Sequence, residues 1–320
     1  MKFLFLIILI CEMHSFAIDR ELKSKVTDYM KILRACPDSS AVPEAILKQI
    51  EQISDEEAKP LILAGLRKEF QLRGSSLINL CRKQAYAQIK QKLDENKEAL
   101  TTDLNSLRTI KELSEENTSE VAAKLDKLMN SMIPSDISWG EDVKQARSMV
   151  GKIGKTLLKF DDQNEPADFA TMEFIAKASV CPLLIKNKVA LANFQKLSSM
   201  PFQVSAAVYQ INLIRVLRNQ PPLLIDPKLN VVAFKHSKDM KDNNFLAHES
   251  PTEGQKTLKD RATKLRTTAS EQIIGRGTND VIKLNKAYLK RYKNAKHYFG
   301  PWKRIGVGYY SKHWTQVFGK

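Results

Sequence analysis

The chain has 320 residues, 43% of them hydrophobic and 27% charged, with only 12 glycines and 12 prolines. That balance excludes a disordered or low-complexity polypeptide, and the length suits two cores rather than one. The net charge of +15 is uneven: residues 201–320 hold 22 Lys/Arg against 8 Asp/Glu, or +14. A field of that size attracts polyanions such as acidic lipid surfaces, anionic cell-envelope polymers or nucleic acid, although a lysine-rich surface also serves solubility alone.

Residues 1–17 read as a signal peptide. Lys2 supplies a positive n-region, residues 3–10 are an unbroken apolar run, and Ser15 and Ala17 put small side chains where a signal peptidase reads them. Eight helical residues cover about 12 Å, against roughly 30 Å of bilayer hydrocarbon, so this run is too short to span. Ile10 is too bulky for Cys11 to begin a lipoprotein. The expectation is cleavage after Ala17 and a secreted or extracytoplasmic protein, in the periplasm or outside the cell. The processed chain keeps Cys36, Cys81 and Cys181, which allow at most one intramolecular disulfide. None of the spacings is CxxC, so no cysteine-based zinc or redox site is expected.

Residues 18–200 read as an all-α domain. Leu22, Val26, Met30 and Leu33 keep helical spacing, as do Ile46, Ile50 and Ile53 after Pro43. Leu104, Leu107 and Ile110 mark a later helix, and Val121, Leu125, Leu128 and Met132 another. Sustained alternation is missing, so an antiparallel bundle of five to seven helices is expected. No catalytic constellation occurs here. A polar stretch at 161–166 and a break at 198–201 are candidate boundaries, and the pattern changes after the second.

The next helix is expected to open at Ser205 as its cap and run through Val208, Ile211, Ile214 and Leu217. It stops before Pro221-Pro222, which cannot continue it. After an extended link, Asp226 caps a helix whose one face reads Leu229, Val232, Ala233, His236 and Met240. A turn-rich stretch follows at 243–251. Near the C-terminus Ile305, Val307 and Tyr309 alternate with Gly306 and Gly308, and a turn at Ser311, Lys312 and His313 leads into residues 314–318, a β-hairpin. The whole is α+β, with helices covering a small sheet in the C-terminal domain.

A series of pieces of this region, in order, resembles the CAP superfamily of cysteine-rich secretory, antigen-five and pathogenesis-related proteins, in its bacterial, cysteine-free branch. Ile211, Asn212 and Arg215, then residues 224–229, then His236, Ser237 and Met240 are similar to its first two helices. Asn244-Phe245 and His248-Glu249-Ser250-Pro251 resemble its phenylalanine and His-x-Ser-Pro loop. Ser270-Glu271-Gln272-Ile273 stands where the family has Gly-Glu-Asn-Ile, and His297 where it has a turn histidine. Residues 304–308 and 314–319 match its closing strands.

The resemblance implies an α-β-α sandwich over residues 205–320, an SCP-like domain with a cleft of two histidines and two acidic residues. His248, Glu271 and His297 are three of those four. Two neutral imidazoles can ligate Zn²⁺ or another divalent cation, so His248 and His297 are the candidate ligands of a weak, open site, with the carboxylate holding a water or fixing a tautomer. This sequence departs from the pattern: Gln272 replaces Asn, Ser270 replaces Gly, and no acidic residue lies between Asp280 and His297. One carboxylate fewer weakens the case for acid/base chemistry. His236 reads as a core histidine and His313 as a solvated turn residue. Asn212 and Arg215 read as packing residues, and Trp302, Tyr309, Tyr310 and Trp314 as hairpin core. The functional expectation is a secreted binding module whose cleft takes a lipid, a metal or an envelope component. The alternatives are a hydrolase in which His248, Glu271 and His297 activate water, and a purely structural role. HExxH and GxSxG are both missing.

Overall fold

A computed structural model describes residues 58–160, 167–195 and 200–320. The expected signal peptide, Cys36 and the helices read at 22–33 and 46–53 lie outside the described residues, as do the stretch at 161–166 and residues 198 and 199 of the later break. The chain divides into two compact units, 1–69 and 70–320. Of the first, only the opening turns of helix α1 (Ala58–Glu95) are described. The second holds α2 (Lys97–Thr109), α3 (Thr118–Met132), α4 (Glu141–Phe160), α5 (Phe169–Val180) and α6 (Lys188–Gln195). Val121, Leu125, Leu128 and Met132 all turn inward from α3, as their spacing requires. Ile110 falls just outside α2, as its C-cap. Cys81 and Cys181 are both buried free thiols. Burial pushes them up to about 12 and about 11, so neither is a thiolate at neutral pH.

Helix α7 (Phe202–Leu217) is buried at every residue except Val216, including Gln203, Gln210, Asn212 and Arg215, so it is a central helix rather than a one-faced surface helix. Helices α5, α3 and α2 pack against it, and so does the sheet. Its start corrects the sequence reading. The helix begins at Phe202, not at Ser205. The Ser205 amide already donates to Pro201 O at 3.2 Å, and the side chain is fully buried. Burying Phe202 and Val204 draws these residues into the helix, a larger effect than a serine cap.

The sheet has four strands: β1 (Leu224–Ile225), β2 (Glu271–Arg276), β3 (Arg304–Tyr310) and β4 (His313–Gly319), in the order β1-β3-β4-β2. β1 runs parallel to β3 and the other pairs are antiparallel. The residues read as an extended link thus supply β1. The hairpin turn is only Ser311 and Lys312, with φ of 45° and 63°, the left-handed pair that matches strand twist. His313 is therefore not a solvated turn residue: pairing with Tyr310 draws it into β4, half-buried.

Helices cover both faces. α8 (Pro227–Asp242) is capped by Asp226, which accepts from the Lys228 and Leu229 amides as expected. It lies on the face that carries Gly306, Gly308, Thr315 and Val317, and Val317 packs with Leu229, Val232, Ala233 and, from α9 (Leu258–Lys264), Ala262. The opposite face meets α7, α10 (Val281–Leu289) and α11 (Tyr292–Tyr298). There Gln316 Nε2 and Tyr298 Oη both donate to Asn285 Oδ1, at 2.8 and 2.9 Å. Asn212 exchanges hydrogen bonds with the Leu223 backbone, and Arg215 donates to the carbonyls of Pro221, Tyr298 and Gly300. Both are packing residues, and Arg215 ties α7 to the segment that follows His297.

Candidate functional site

The loop that carries His248 is fixed from below by α8. Asn244, at φ 50°, turns the chain out of the helix. His236 is fully buried, as its apolar face requires, and its Nε2 lies 3.0 Å from Ala247 O, one residue before His248. One turn further along α8, Asp239 accepts from Ser250 Oγ, from Thr252 Oγ1 at 2.7 Å and from Asn243 Nδ2 at 2.8 Å. Burial opposes its charge, but these three donors outweigh it and hold the carboxyl below its ordinary range. The serine of the His-x-Ser-Pro motif is thus an anchor, and Asp239, unmarked in the sequence, is what it is anchored to. Asp239→Ala is expected to cost about 2 kcal/mol, the usual scale for stranded buried partners. It should also speed amide exchange in residues 248–252, which hydrogen exchange read by mass spectrometry would detect.

β2 is an edge strand, and its register places Glu271 opposite Phe318 and Gln272 opposite Val317. Neighbouring residues of a strand point to opposite faces, so Gln272 turns to the α8 face and Glu271 to the α11 face. Gln272 is buried. Its Nε2 donates to His248 O at 2.9 Å and lies 3.1 Å from His248 Nδ1. Its Oε1 accepts from Arg261 Nη2 at 2.8 Å. Arg261, from α9, is only 3% exposed and donates in addition to His248 O, Gln255 O and Lys256 O. On the other face, His297 Nδ1 stands 3.5 Å from Glu271 Oε2, beyond the usual hydrogen-bond length but within ion-pair range for a protonated ring. The His297 carbonyl accepts from Trp302 Nε1 at 2.7 Å, which ties this helix end to the core.

Both imidazoles titrate below their ordinary value. Burial is the first cause for each. His248 is lowered further by Arg261, against the pull of Glu271. For His297 the Glu271 charge also works upward, while Lys296 and His248 work downward. His297 thus stands beside Glu271 on one face of β2, and His248 is held by Gln272 on the other. Among the described residues no group of three or more His, Cys, Asp or Glu is placed to hold a metal ion.

Sequence reasoning missed Arg261 and Asp239. It noted Gln272 only as a departure from asparagine, a signal that marked the right position without its role. A cavity of about 310 Å³ also went unread. It opens between α8 and α9 and is lined by Lys235, Lys238, Arg261 and Lys264, with Asp239 and Asp242.

No known family profile matches the chain. The chain is 31% identical over 128 residues to the uncharacterized protein YkwD of Bacillus subtilis strain 168, across 38% of this chain and 50% of that protein. It is also 31% identical to an extracellular protein containing an SCP domain, solved by crystallography from Bacillus anthracis strain Ames. That match has a TM-score of 0.36 and covers 37% of this chain and 40% of the other. The chain thus spans half or less of the length of these relatives. The ordered motifs, the helix-sheet-helix arrangement and these partial sequence matches agree: the C-terminal part of this chain is similar to a CAP/SCP domain.

Proposed function

We propose that residues 205–320 act as an extracytoplasmic binding module for an anionic lipid or envelope component. The observation that carries this reading is the charge, +14 of the total +15 within residues 201–320. The cavity between α8 and α9 supports it, because four cationic side chains face two carboxylates there. Lys238 is paired with Asp242 and Asp239 acts on Arg261, so four cations against two carboxylates leave the cavity a net charge of +2. Export is supported by the signal-like residues 1–17, and among the described residues no helix is long and apolar enough to cross a membrane. Vesicles containing phosphatidylglycerol are expected to retain the purified protein at low salt and release it toward about 0.5 M salt, as screened charges require. Pure phosphatidylcholine vesicles should retain none. Equal retention by both, or none by either, would remove the anionic-lipid reading.

One observation favours a second reading. Glu271 faces Nδ1 of His297, which leaves Nε2 of that ring available as a base toward water. If Glu271 and His297 hydrolyse a substrate, Glu271→Gln should abolish turnover while leaving vesicle retention intact.

A further inference from the structure

We infer that Arg261 and Gln272 together lock His248 as the Nε2–H tautomer, so that the cleft presents an N–H donor to an oxyanion, a carboxylate or phosphate oxygen of the ligand. The inference rests on the binding reading and narrows it to a ligand chemistry. It also means that His248 does not fit the role of metal ligand that its family position implies.

The chemistry of the partners fixes the direction of every bond. Arg261 has only donors, so the Gln272 atom that meets Nη2 at 2.8 Å must be the amide oxygen. The His248 carbonyl has only lone pairs, so the Gln272 atom that meets it at 2.9 Å must be the amide nitrogen. Turning the amide over would set NH₂ against a guanidinium and oxygen against a carbonyl. The NH₂ group that faces His248 Nδ1 at 3.1 Å can only donate, so Nδ1 contributes its lone pair. A neutral imidazole then carries its proton on Nε2.

A histidine that ligates through one nitrogen must carry the proton on the other, normally donated to a carboxylate or carbonyl. Here Nδ1 is used as an acceptor and Nε2 bears hydrogen, so neither nitrogen is open to a cation. What Nε2–H can do is donate: His248 is partly desolvated by its neighbours yet keeps exposed surface where a ligand can reach it. Gln272 and Arg261 are both buried, which makes them positioning residues rather than ligand contacts at His248. Asparagine, one methylene shorter, would not reach the same three partners from this strand position. That is a physical reason for Gln272 to stand here.

The test is long-range ¹H–¹⁵N NMR on protein labelled at histidine nitrogen, at about pH 7.5, where the ring is neutral. The wild type is expected to show His248 protonated on Nε2. In Gln272→Glu the new carboxylate accepts instead of donating, so the proton should move to Nδ1 and Nε2 should gain a lone pair. Zn²⁺ binding by calorimetry should then rise at least tenfold in that variant over wild type. Inorganic phosphate and acetate are titrated separately into wild type, and a saturable shift of the His248 signals by either identifies the oxyanion source. A wild-type ring protonated on Nδ1, or averaged between tautomers, overturns the lock whether or not the variant folds. Saturable displacement of the wild-type His248 signals by Zn²⁺ overturns it too. Silence to both anions overturns the ligand class. Vesicle retention is read independently, so an averaged tautomer with retained vesicles sinks this inference alone.

Discussion

Gly308→Ala is expected to lower stability by at least about 3 kcal/mol, the upper range for overpacking a core, and the melting temperature by roughly 10 °C. A Cβ at Gly308 would stand 2.1 Å from Phe234 N and 2.2 Å from Ala233 C, both backbone atoms of α8. Backbone of a central helix cannot rotate aside as a side chain does. The helix would have to lift from the sheet, and the Ser237 hydroxyl would leave Gly308 O, 3.1 Å away, and Thr315 Oγ1, 2.9 Å away. Gly306 faces the same helix one turn earlier, with Leu229 C at 2.1 Å, so its alanine variant should behave alike. Gly151 is the control. It lies inside α4 with nothing within 4 Å of its would-be Cβ, and alanine there should stabilise by up to about 1 kcal/mol. Thermal melts followed by circular dichroism decide the matter. A Gly308→Ala melt within 2 °C of wild type, roughly the effect of a fraction of a kcal/mol, would mean that α8 does not sit this close to β3.

These glycines also show what a sequence reveals and what it withholds. The alternation of Ile305, Val307 and Tyr309 was enough to read a hairpin, although β3 is buried on both faces rather than one: the period of two comes from large side chains on one face and glycines against α8 on the other. The intervening glycines read only as gaps in that pattern, since their reason is a helix backbone some 75 residues away in the chain. β2 was invisible for a different cause: six residues at a sheet edge give too short a pattern to distinguish from a loop, and only pairing with β4 defines them. In the helical half, the inward faces of α3 were legible from spacing alone. The start of α7 was not, because a local preference for a serine cap competed with burial that only the packed structure supplies.

The site divides in the same way. His248, Glu271 and His297 lie on a loop, a strand and a helix, and it was the order of motifs, not any local pattern, that singled them out. Their hydrogen-bond roles depend on Arg261, one of the 22 basic residues of this region. Nothing in its neighbourhood distinguishes it before α9 is docked beside Gln272. A residue's type was legible, but the direction in which it donates was set by partners distant in the chain.

His236 gives the pH dependence of this scaffold a definite sign. Its Nε2 donates to Ala247 O, while its Nδ1 is buried with no hydrogen-bond partner. Protonating Nδ1 would place a new N–H in an apolar setting. Burial first, and then the Arg261 charge, lower the folded group to about 4, against the weaker pull of the Ala247 carbonyl and Asp239. The unfolded chain takes up this proton near pH 6.5 and the folded chain only near 4, so the stability that neutral His236 provides is present above pH 6.5 and lost as pH falls toward 4. The gap corresponds to about 3 kcal/mol once complete. His248, His297 and Asp239 are also lowered in the fold and act in the same direction. The readout is therefore a difference between two proteins across a pH series of urea denaturation. His236→Phe keeps a ring in the same space but gives up the bond to Ala247, which should cost about 1 kcal/mol at pH 7.5. The variant has no proton to take up, so near pH 4 it should be the more stable of the two, and the two stability curves should cross between those values. Parallel curves would mean that His236 titrates alike in the folded and unfolded chain. The hold of α8 on the His248 loop would then not depend on a neutral ring.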